Sequence, residues 1–263
     1  KQLDMMRVTP GSALTGTTRI NLLDIEQLEI FKLILEENSI TSFINIGGNG
    51  TIKQTKSISK FFNNSLQVAA VPKTVDNDLG DMDCSSIFFT PGFPSCVNHW
   101  SKLATLLDIE NQGSCSHDKV LVAQTFGRET GFLAGATRIA DPERKLPFVI
   151  LIPEDIQPVD KILQKIDNNL KKYGRTIVFI SEGYDLGFIG NIKDSSGQIM
   201  YGSNKTTAAQ LLVDKLLENN IQARSFIPTV LQRQAINDTL IFDRDVAFKL
   251  GEQTVSQFAL GNS

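Results

Sequence analysis

The chain has 263 residues, of which 41% are hydrophobic and 21% charged, so it has the composition of a globular protein with one large domain or two smaller ones. Its net charge of -3 excludes a broad basic surface for nucleic acid or anionic lipid. The three cysteines form no C-x-x-C pair, which favours a reducing, cytoplasmic setting. No apolar stretch reaches the roughly 18 residues of a membrane span. We therefore expect neither nucleic-acid nor membrane partners.

The N-terminal part contains a loop rich in glycine, serine and threonine, PGSALTGTTR, which ends at Arg19. Its amide groups and guanidinium could bind a phosphate, although a plain surface loop has the same composition. Asp24 is positioned to begin the helix that follows. Because the sequence starts with Lys1 rather than Met, we expect it to be a piece of a longer protein.

The first glycine-rich loop, GGNGT, follows a short predicted strand at 41–46 and precedes a predicted helix at 52–62. A strand, a glycine loop and a helix form the geometry in which backbone amides receive phosphate. The loop matches neither G-x-G-x-x-G nor the Lys-Ser/Thr ending of a Walker loop. A tight turn that needs glycines for its backbone conformation is an equally simple interpretation.

A second apolar run, at 66–71, predicts a buried strand that ends in the polar turn PKTVDND. Thr74, Asp76 and Asp78 alternate along this turn, so they would face the same side if the backbone stays extended. Carboxylates at the end of a parallel strand can accept a proton from a hydroxyl or bind Mg2+. The alternative is a turn or helix start capped by aspartates.

The rest of the chain alternates predicted strands with helices, which favours a mainly parallel α/β fold. Strands are predicted at 119–125, 148–152 and 176–180. One helix is predicted to begin in the segment 85–107, a second follows FGRETG and ends at residue 140, and three more lie at 159–173, 205–219 and 243–260. The first and last of these strands end in the polar loops FGRETG and SEGY. Together with GGNGT and PKTVDND, these loops predict a cleft at the carboxyl ends of the strands.

These strings, in this order, resemble the phosphofructokinase family. Its donor loop is similar to GGNGT, its catalytic loop to PKTVDND and its arginine loop to FGRETG. Its sugar-binding strand end is similar to ISEGYD, and its phosphate-binding segment to RSFIPTVLQR. The forms FGRETGFLA and PKTVDNDLGD look closest to the branch that contains pyrophosphate-dependent enzymes. The resemblance implies two doubly wound, mainly parallel α/β domains of Rossmann type. They would be a donor domain at 1–118 and a fructose 6-phosphate domain at 119–242, followed by a C-terminal helix at 243–263.

The implied reaction is phosphoryl transfer from ATP or pyrophosphate to the 1-hydroxyl of fructose 6-phosphate. By resemblance, Asp76 would take the hydroxyl proton, Thr74 would contact the transferring group and Arg128 would stabilise developing charge. Asp78 would help to place Mg2+, with Asn49 beside it.

The resemblance also implies two sets of binding residues. The set for fructose 6-phosphate would comprise Lys119, Phe126, Gly127, Arg128, Glu182, Arg224 and Arg233. The set for the phosphoryl donor would comprise Arg19, Gly48, Gly50, Thr51 and Lys73. Lys119 and Arg224 would reach in from a neighbouring subunit, so a homodimer or homotetramer is expected.

The sequence departs from the family pattern at several positions. Asn49 replaces an acidic residue near the metal, and Val230 replaces a polar aromatic ring near the sugar phosphate. Gly50 resembles ATP users, whereas Lys73 resembles pyrophosphate users, and the combination favours ATP. The family's N-terminal strand and glycine loop do not precede GGNGT. A catalytically weakened, sugar-phosphate-binding subunit is therefore the rival hypothesis, against which stands the intact T-x-D-N-D string.

Overall fold

Parallel strands in two separate sheets form the framework of the protein. The structure is a computed structural model that describes residues 12–18, 20, 22–80, 86–190, 192–193, 197 and 199–262. A short helix, α1 (Ser12–Thr15), comes first within these ranges. None of the helices within them combines the length and the apolar character that crossing a bilayer requires.

The first sheet has two parallel strands, β1 (Ser42–Gly47) and β2 (Gln67–Pro72). They flank α3 (Asn49–Phe62), and α2 (Ile25–Glu37) precedes them. Asp24 caps α2 as the sequence predicts, because its carboxylate accepts a hydrogen bond from the backbone N–H of Glu26 at 3.1 Å. A small core joins both helices to the sheet: Leu28, Leu35, Ile58, Phe62, Leu66 and Val68.

The second sheet has four parallel strands in the order β4-β5-β3-β6. The strands are β3 (Val120–Thr125), β4 (Phe148–Leu151), β5 (Thr176–Ser181) and β6 (Ala223–Phe226). Every residue of β3 and β5 is buried, which explains their continuous apolar character. The short strand β6 was not predicted, because its four residues, ARSF, contain no continuous apolar run and lie at the edge of the sheet.

Helices cover both faces of the second sheet, so the predicted α/β fold is confirmed. On one face lie α6 (Val159–Tyr173) and α7 (Ala208–Glu218). On the other lie α4 (Phe93–Ser114) and the short α5 (Phe132–Ala136), with Trp100 fully buried against Phe179. Helix α4 thus packs on the second sheet although it lies before the predicted boundary at residue 118. That boundary stays a prediction.

The last helix, α8 (Ile241–Ala259), connects the two sheets. Near its start, the buried carboxylate of Asp243 accepts hydrogen bonds from the N–H groups of Gly92 and Ser95, at 2.8 and 3.1 Å, and from the Ser95 hydroxyl at 2.6 Å. Asp243 therefore caps the N-terminus of α4. Near its end, the Phe258 carbonyl accepts a hydrogen bond from the Gln67 side chain on β2.

Candidate functional site

Three polar loops meet where strands of the two sheets end. They follow β2, β3 and β5, which are the positions that the sequence predicts. We name them the aspartate loop (residues 73–78), the arginine loop (residues 126–131) and the glutamate loop (residues 181–184). Hydrogen bonds and one close backbone contact join them, so the predicted cleft residues on these loops are brought together.

The aspartate loop is a tight turn stabilised by its own side chains. The Thr74 hydroxyl lies 3.2 Å from Asp76 Oδ2, to which it donates, and accepts the Asp76 backbone N–H at the same distance. Asn77 follows with a φ of 55°, in the left-handed region that asparagine tolerates better than most residues. The turn aims the Asp76 carboxylate, whose side chain is 14% exposed, towards the arginine loop.

Thr90, a fully buried residue outside the motif, supports the aspartate loop from behind. Its backbone N–H donates to Asn77 Oδ1 at 2.9 Å, and its hydroxyl donates to the Thr74 carbonyl at 2.7 Å. These bonds satisfy buried polar groups of the turn and fix its conformation. Sequence reasoning missed Thr90, because nothing near it in the chain marks its long-range partners.

The arginine loop depends on an unusual backbone. Gly127 has a φ of 138°, and a Cβ there would lie 2.3 Å from the Thr130 carbonyl, so only glycine fits. Arg128 follows with a φ of 51°. Its Nε lies 3.7 Å from Asp76 Oδ2, an ion pair between the two loops. Residues held in such conformations are often part of a functional site.

Thr130 is the main link between the loops, and its role was not predicted. Its hydroxyl lies 3.0 Å from the carbonyl of Asp76 and 2.8 Å from that of Gly127, which share its proton. Its own carbonyl accepts the Ser181 hydroxyl at 2.9 Å. One residue of the arginine loop therefore contacts both the aspartate loop and the glutamate loop.

The glutamate loop packs directly on the arginine loop. A Cβ at Gly183 would overlap the Arg128 carbonyl, at 1.7 Å, so this glycine permits the close approach of the two backbones. Glu182 is 7% exposed, and its Oε1 accepts the Arg128 backbone N–H at 3.3 Å. Arg128 thus links the other two residues, since its side chain pairs with Asp76 and its backbone N–H donates to Glu182.

Burial and neighbouring charges change the pKa values of Asp76 and Glu182. The pKa of Asp76 is raised, first by burial and then by the Asp78 carboxylate, while Arg128 and the Thr74 hydrogen bond oppose the shift. Burial, followed by the charge of Asp76, raises the pKa of Glu182 to about 8. Glu182 is therefore mostly a neutral acid at pH 7, and Asp76 is a stronger base than an exposed aspartate.

Two further cations, Lys73 and Arg233, influence the charges at this site. Lys73 is exposed as a residue, but partial desolvation of its ammonium lowers its pKa, as does the nearby charge of Arg233. Arg233 ends a short 3-10 helix at 229–233, and its guanidinium lies 5.8 Å from the centre of the Phe126 ring. The preceding residue, Gln232, is 3% exposed and was not predicted as part of the site.

Comparison with known proteins identifies the family of this chain. The sequence model described as Phosphofructokinase matches residues 2–258, nearly the whole chain. The chain belongs to the phosphofructokinase family. The resemblance that the sequence motifs carry is thereby confirmed.

Named relatives within the family differ in their phosphoryl donor. The chain is 29% identical to a pyrophosphate--fructose 6-phosphate 1-phosphotransferase of Rhodospirillum rubrum, with 98% of this chain and 65% of the relative covered. It is 30% identical to an ATP-dependent 6-phosphofructokinase of Corynebacterium efficiens, with 66% and 46% covered. A solved pyrophosphate-dependent phosphofructokinase of Nitrosospira multiformis superposes with a TM-score of 0.70 at 26% identity, over 90% of this chain and 57% of that one. The chain thus spans less than two thirds of these proteins.

Two residues that the family resemblance assigns to fructose 6-phosphate lie away from the three loops. Lys119 precedes β3 and Arg224 is the second residue of β6, so both lie at the amino ends of the parallel strands. Arg224 pairs with Glu110 at 2.5 Å and with Asp118 at 3.4 Å. Within one chain they cannot join Asp76, and their predicted role across a subunit interface stays a prediction.

The predicted donor residues lie beside the aspartate loop, except Arg19, which falls outside the described residues. Gly48 caps α3, and a Cβ there would lie 3.6 Å from Thr74. The Lys73 backbone N–H donates to the Gly47 carbonyl at 2.9 Å, which holds the aspartate loop against this end of the helix. Gly50 and Thr51 belong to the first turn of α3, where backbone N–H groups favour anions.

The predicted metal residues form a bonded pair. The side-chain nitrogen of Asn49 donates to the carbonyl and to Oδ2 of Asp78, both at 2.9 Å, so its amide oxygen points away from this carboxylate. Asp78 Oδ1 is buried and has no hydrogen-bond partner among the described residues. The described part of the chain contains no group of three or more histidine, cysteine or acidic side chains that could hold a metal. One carboxylate oxygen is available here, which suits Mg2+ shared with phosphates and water.

Proposed function

We propose that this protein transfers a phosphoryl group to the 1-hydroxyl of fructose 6-phosphate, giving fructose 1,6-bisphosphate. The observation that carries this proposal is the meeting of Asp76, Thr74 and Arg128, with Asp76 3.7 Å from Arg128 and hydrogen-bonded to Thr74. A buried carboxylate with a raised pKa suits the removal of a hydroxyl proton. The name of the Rhodospirillum rubrum relative includes fructose 6-phosphate, which supports the same assignment.

In this proposal the protein mainly positions charges. Asp76 accepts the proton as the sugar oxygen attacks, while Arg128 and Thr74 stabilise the negative charge that spreads over the phosphoryl oxygens. Glu182, neutral at pH 7, binds sugar hydroxyls without adding a second negative charge beside Asp76. Arg233 binds the 6-phosphate. Lys119 and Arg224 of a neighbouring subunit complete this phosphate site in a homodimer or homotetramer.

Mg2+ would be held by Asp78 together with phosphate oxygens of the donor. The free Oδ1 of Asp78 fits this role, whereas Asn49 orients Asp78 through its amide nitrogen instead of presenting its oxygen. When bound, the ion would neutralise charge on the donor phosphates. Because the protein supplies few negative ligands, we expect metal affinity to depend strongly on the donor.

ATP is the first candidate donor, because Gly50 leaves the start of α3 free of a side chain that would crowd a nucleotide. Pyrophosphate is the second candidate, and a specific observation favours it. The Lys73 ammonium interacts electrostatically with Asp76, Arg128 and Arg233, so it lies near the place where a small inorganic donor would be bound. Several relatives that match over nearly the whole chain are named as pyrophosphate-dependent.

A coupled assay for fructose 1,6-bisphosphate, run with Mg2+ and each donor in turn, tests this proposal. We expect turnover with ATP to exceed turnover with pyrophosphate. Turnover with pyrophosphate alone would show that Lys73, and not Gly50, identifies the donor. No turnover with either donor, combined with measurable binding of fructose 6-phosphate, would support the weakened sugar-phosphate-binding subunit instead.

A further inference from the structure

We propose that Gln232 is a positioning residue that fixes Arg233 relative to the arginine loop, and that it links the occupancy of the sugar-phosphate site to the environment of Trp100. This inference rests on the proposed function, since it concerns the same site. It concerns a residue that touches no substrate in that proposal. Its support is a set of buried contacts that the catalytic roles do not use.

Gln232 joins three parts of the fold through one buried side chain. Its Oε1 accepts the backbone N–H of Phe126 at 2.8 Å and the indole N–H of Trp100 at 3.0 Å. Its backbone carbonyl also accepts the Cys96 thiol at 3.3 Å. The residue therefore ties the 3-10 helix at 229–233 both to the first residue of the arginine loop and to helix α4.

These contacts are demanding because the indole N–H of Trp100 and the amide oxygen of Gln232 are removed from water. Trp100 is fully buried and Gln232 is 3% exposed, so neither the indole N–H nor the amide oxygen can exchange its partner for solvent. The backbone N–H of Phe126 lies just after the last residue of β3, where the regular strand pairing ends. One oxygen thus satisfies two donors from different elements.

The position of Gln232 next to Arg233 connects these hydrogen bonds to the binding of the sugar phosphate. Arg233 is its direct neighbour, and the Arg233 guanidinium lies against the Phe126 ring, whose backbone Gln232 also holds. Without the shared oxygen, Arg233 and the arginine loop would be free to move relative to each other. A phosphate bound by Arg233 and a sugar bound beside Arg128 would then no longer be presented together.

Trp100 makes the inference measurable. It is the single tryptophan in the sequence, so the intrinsic emission of the protein reports one indole. Its N–H donates to the residue that positions Arg233, and binding of fructose 6-phosphate should therefore alter its emission. We expect this change to saturate over the concentration range that sets the KM for fructose 6-phosphate.

The variant Gln232→Leu tests the role of the oxygen, with Gln232→Glu as the conservative variant that keeps an acceptor. Gln234→Leu serves as the matched control, because Gln234 is exposed in the same segment. For Gln232→Leu we expect the KM for fructose 6-phosphate to rise by about 10- to 100-fold, as for a binding group displaced by an ångström. The KM for the donor should change little. Gln232→Glu should recover most of the loss, and Gln234→Leu should match the unchanged protein.

The outcomes separate this inference from the proposed function. An unchanged KM for fructose 6-phosphate in Gln232→Leu, or equal losses for both substrates, would overturn the positioning role. If Gln232→Leu does not fold, the emission titration of the unchanged protein decides. Trp100 emission that stays constant as fructose 6-phosphate saturates an active enzyme would overturn the link. If the unchanged protein lacks turnover, the proposed function fails, while the titration still tests the inference.

Discussion

The two sheets of this protein contribute to the site in different ways. In the four-stranded sheet, β3 and β5 are buried along their whole length and helices cover both faces. In the two-stranded sheet, Ile44 and Ile46 on β1 are 37% and 62% exposed. The arginine and glutamate loops follow strands of the four-stranded sheet. The aspartate loop follows β2 of the two-stranded sheet, which we call the open sheet.

The difference shows that the aspartate loop depends on more than the sheet that it follows. Thr90 and Thr130, which come from the segments before α4 and after β3, supply the bonds that fix its shape. The arginine and glutamate loops thus follow a sheet that is packed on both faces, while the aspartate loop depends on hydrogen bonds from residues outside its own sheet. The predictions below test this division, beginning with the largest expected effect.

Asp76→Asn should separate chemistry from binding. The amide keeps the size of the side chain but cannot accept the hydroxyl proton, so we expect kcat to fall by about 10²–10⁴-fold, the range for a lost general base. The KM for fructose 6-phosphate should change far less. Steady-state kinetics with the better donor measure both values, and a rate close to that of the unchanged protein would remove Asp76 from its role.

Glu182→Gln should change how stability depends on pH. Because the pKa of Glu182 is raised from 4.5 to about 8, the folded state holds a proton that the unfolded state has lost between these values. Stability should therefore fall as pH rises through this window, by an amount on the order of a few kcal/mol, and the substitution should remove that fall.

Thermal unfolding from pH 5 to pH 8 measures this effect. Glu36→Gln, at an exposed position of α2 beside the open sheet, is the matched control and should keep the original pH dependence. An unchanged slope in Glu182→Gln would mean that Glu182 ionises normally in the folded protein.

Truncation of core side chains should distinguish the two sheets directly. Ile177 on β5 is fully buried, so Ile177→Ala should lower the free energy of unfolding by about 2–5 kcal/mol. Ile46→Ala, at an exposed position of β1, should cost less than about 0.5 kcal/mol. Denaturant unfolding compares them, and similar losses would show that another part of the protein covers the open face of β1.

Thr130→Val should have the smallest effect on rate. The substitution keeps the shape of the side chain and removes the hydroxyl that contacts the Asp76 and Gly127 carbonyls. We expect kcat to fall roughly tenfold, the equivalent of about 1.4 kcal/mol for one displaced hydrogen bond. Thr130→Ser keeps the hydroxyl and should restore the rate. A rate as low in Thr130→Ser as in Thr130→Val would show that the hydroxyl alone does not account for the effect.

Much of this architecture could be predicted from the sequence, because it depends on local patterns. The apolar runs before PKTVDND, FGRETG and SEGY mark buried strands, and helix α6 has the predicted bounds, residues 159–173. The loops after these strands carry the groups that meet at the site. Short-range signals of this kind require only neighbours in the chain.

The residues that hold the loops together could not be predicted in the same way. Gln232 bonds to Phe126 across 106 positions, and Thr130 bonds to Asp76 across 54. A glutamine or threonine that acts through such contacts looks, in the sequence, like any surface residue. The edge strand β6 was missed for a related reason, since its pairing with β3 and not its composition makes it a strand.

The cap that Asp243 forms on helix α4 has a consequence for biosynthesis. Helix α4 begins just after Thr90 and Gly92, which contact the aspartate loop, yet the acceptor for its first N–H groups lies about 150 residues later. A nascent chain that has not reached residue 243 must leave those groups to water. The start of α4, next to the residue Gly92 that contacts the aspartate loop, is therefore capped by the protein itself only after residue 243 has been synthesised.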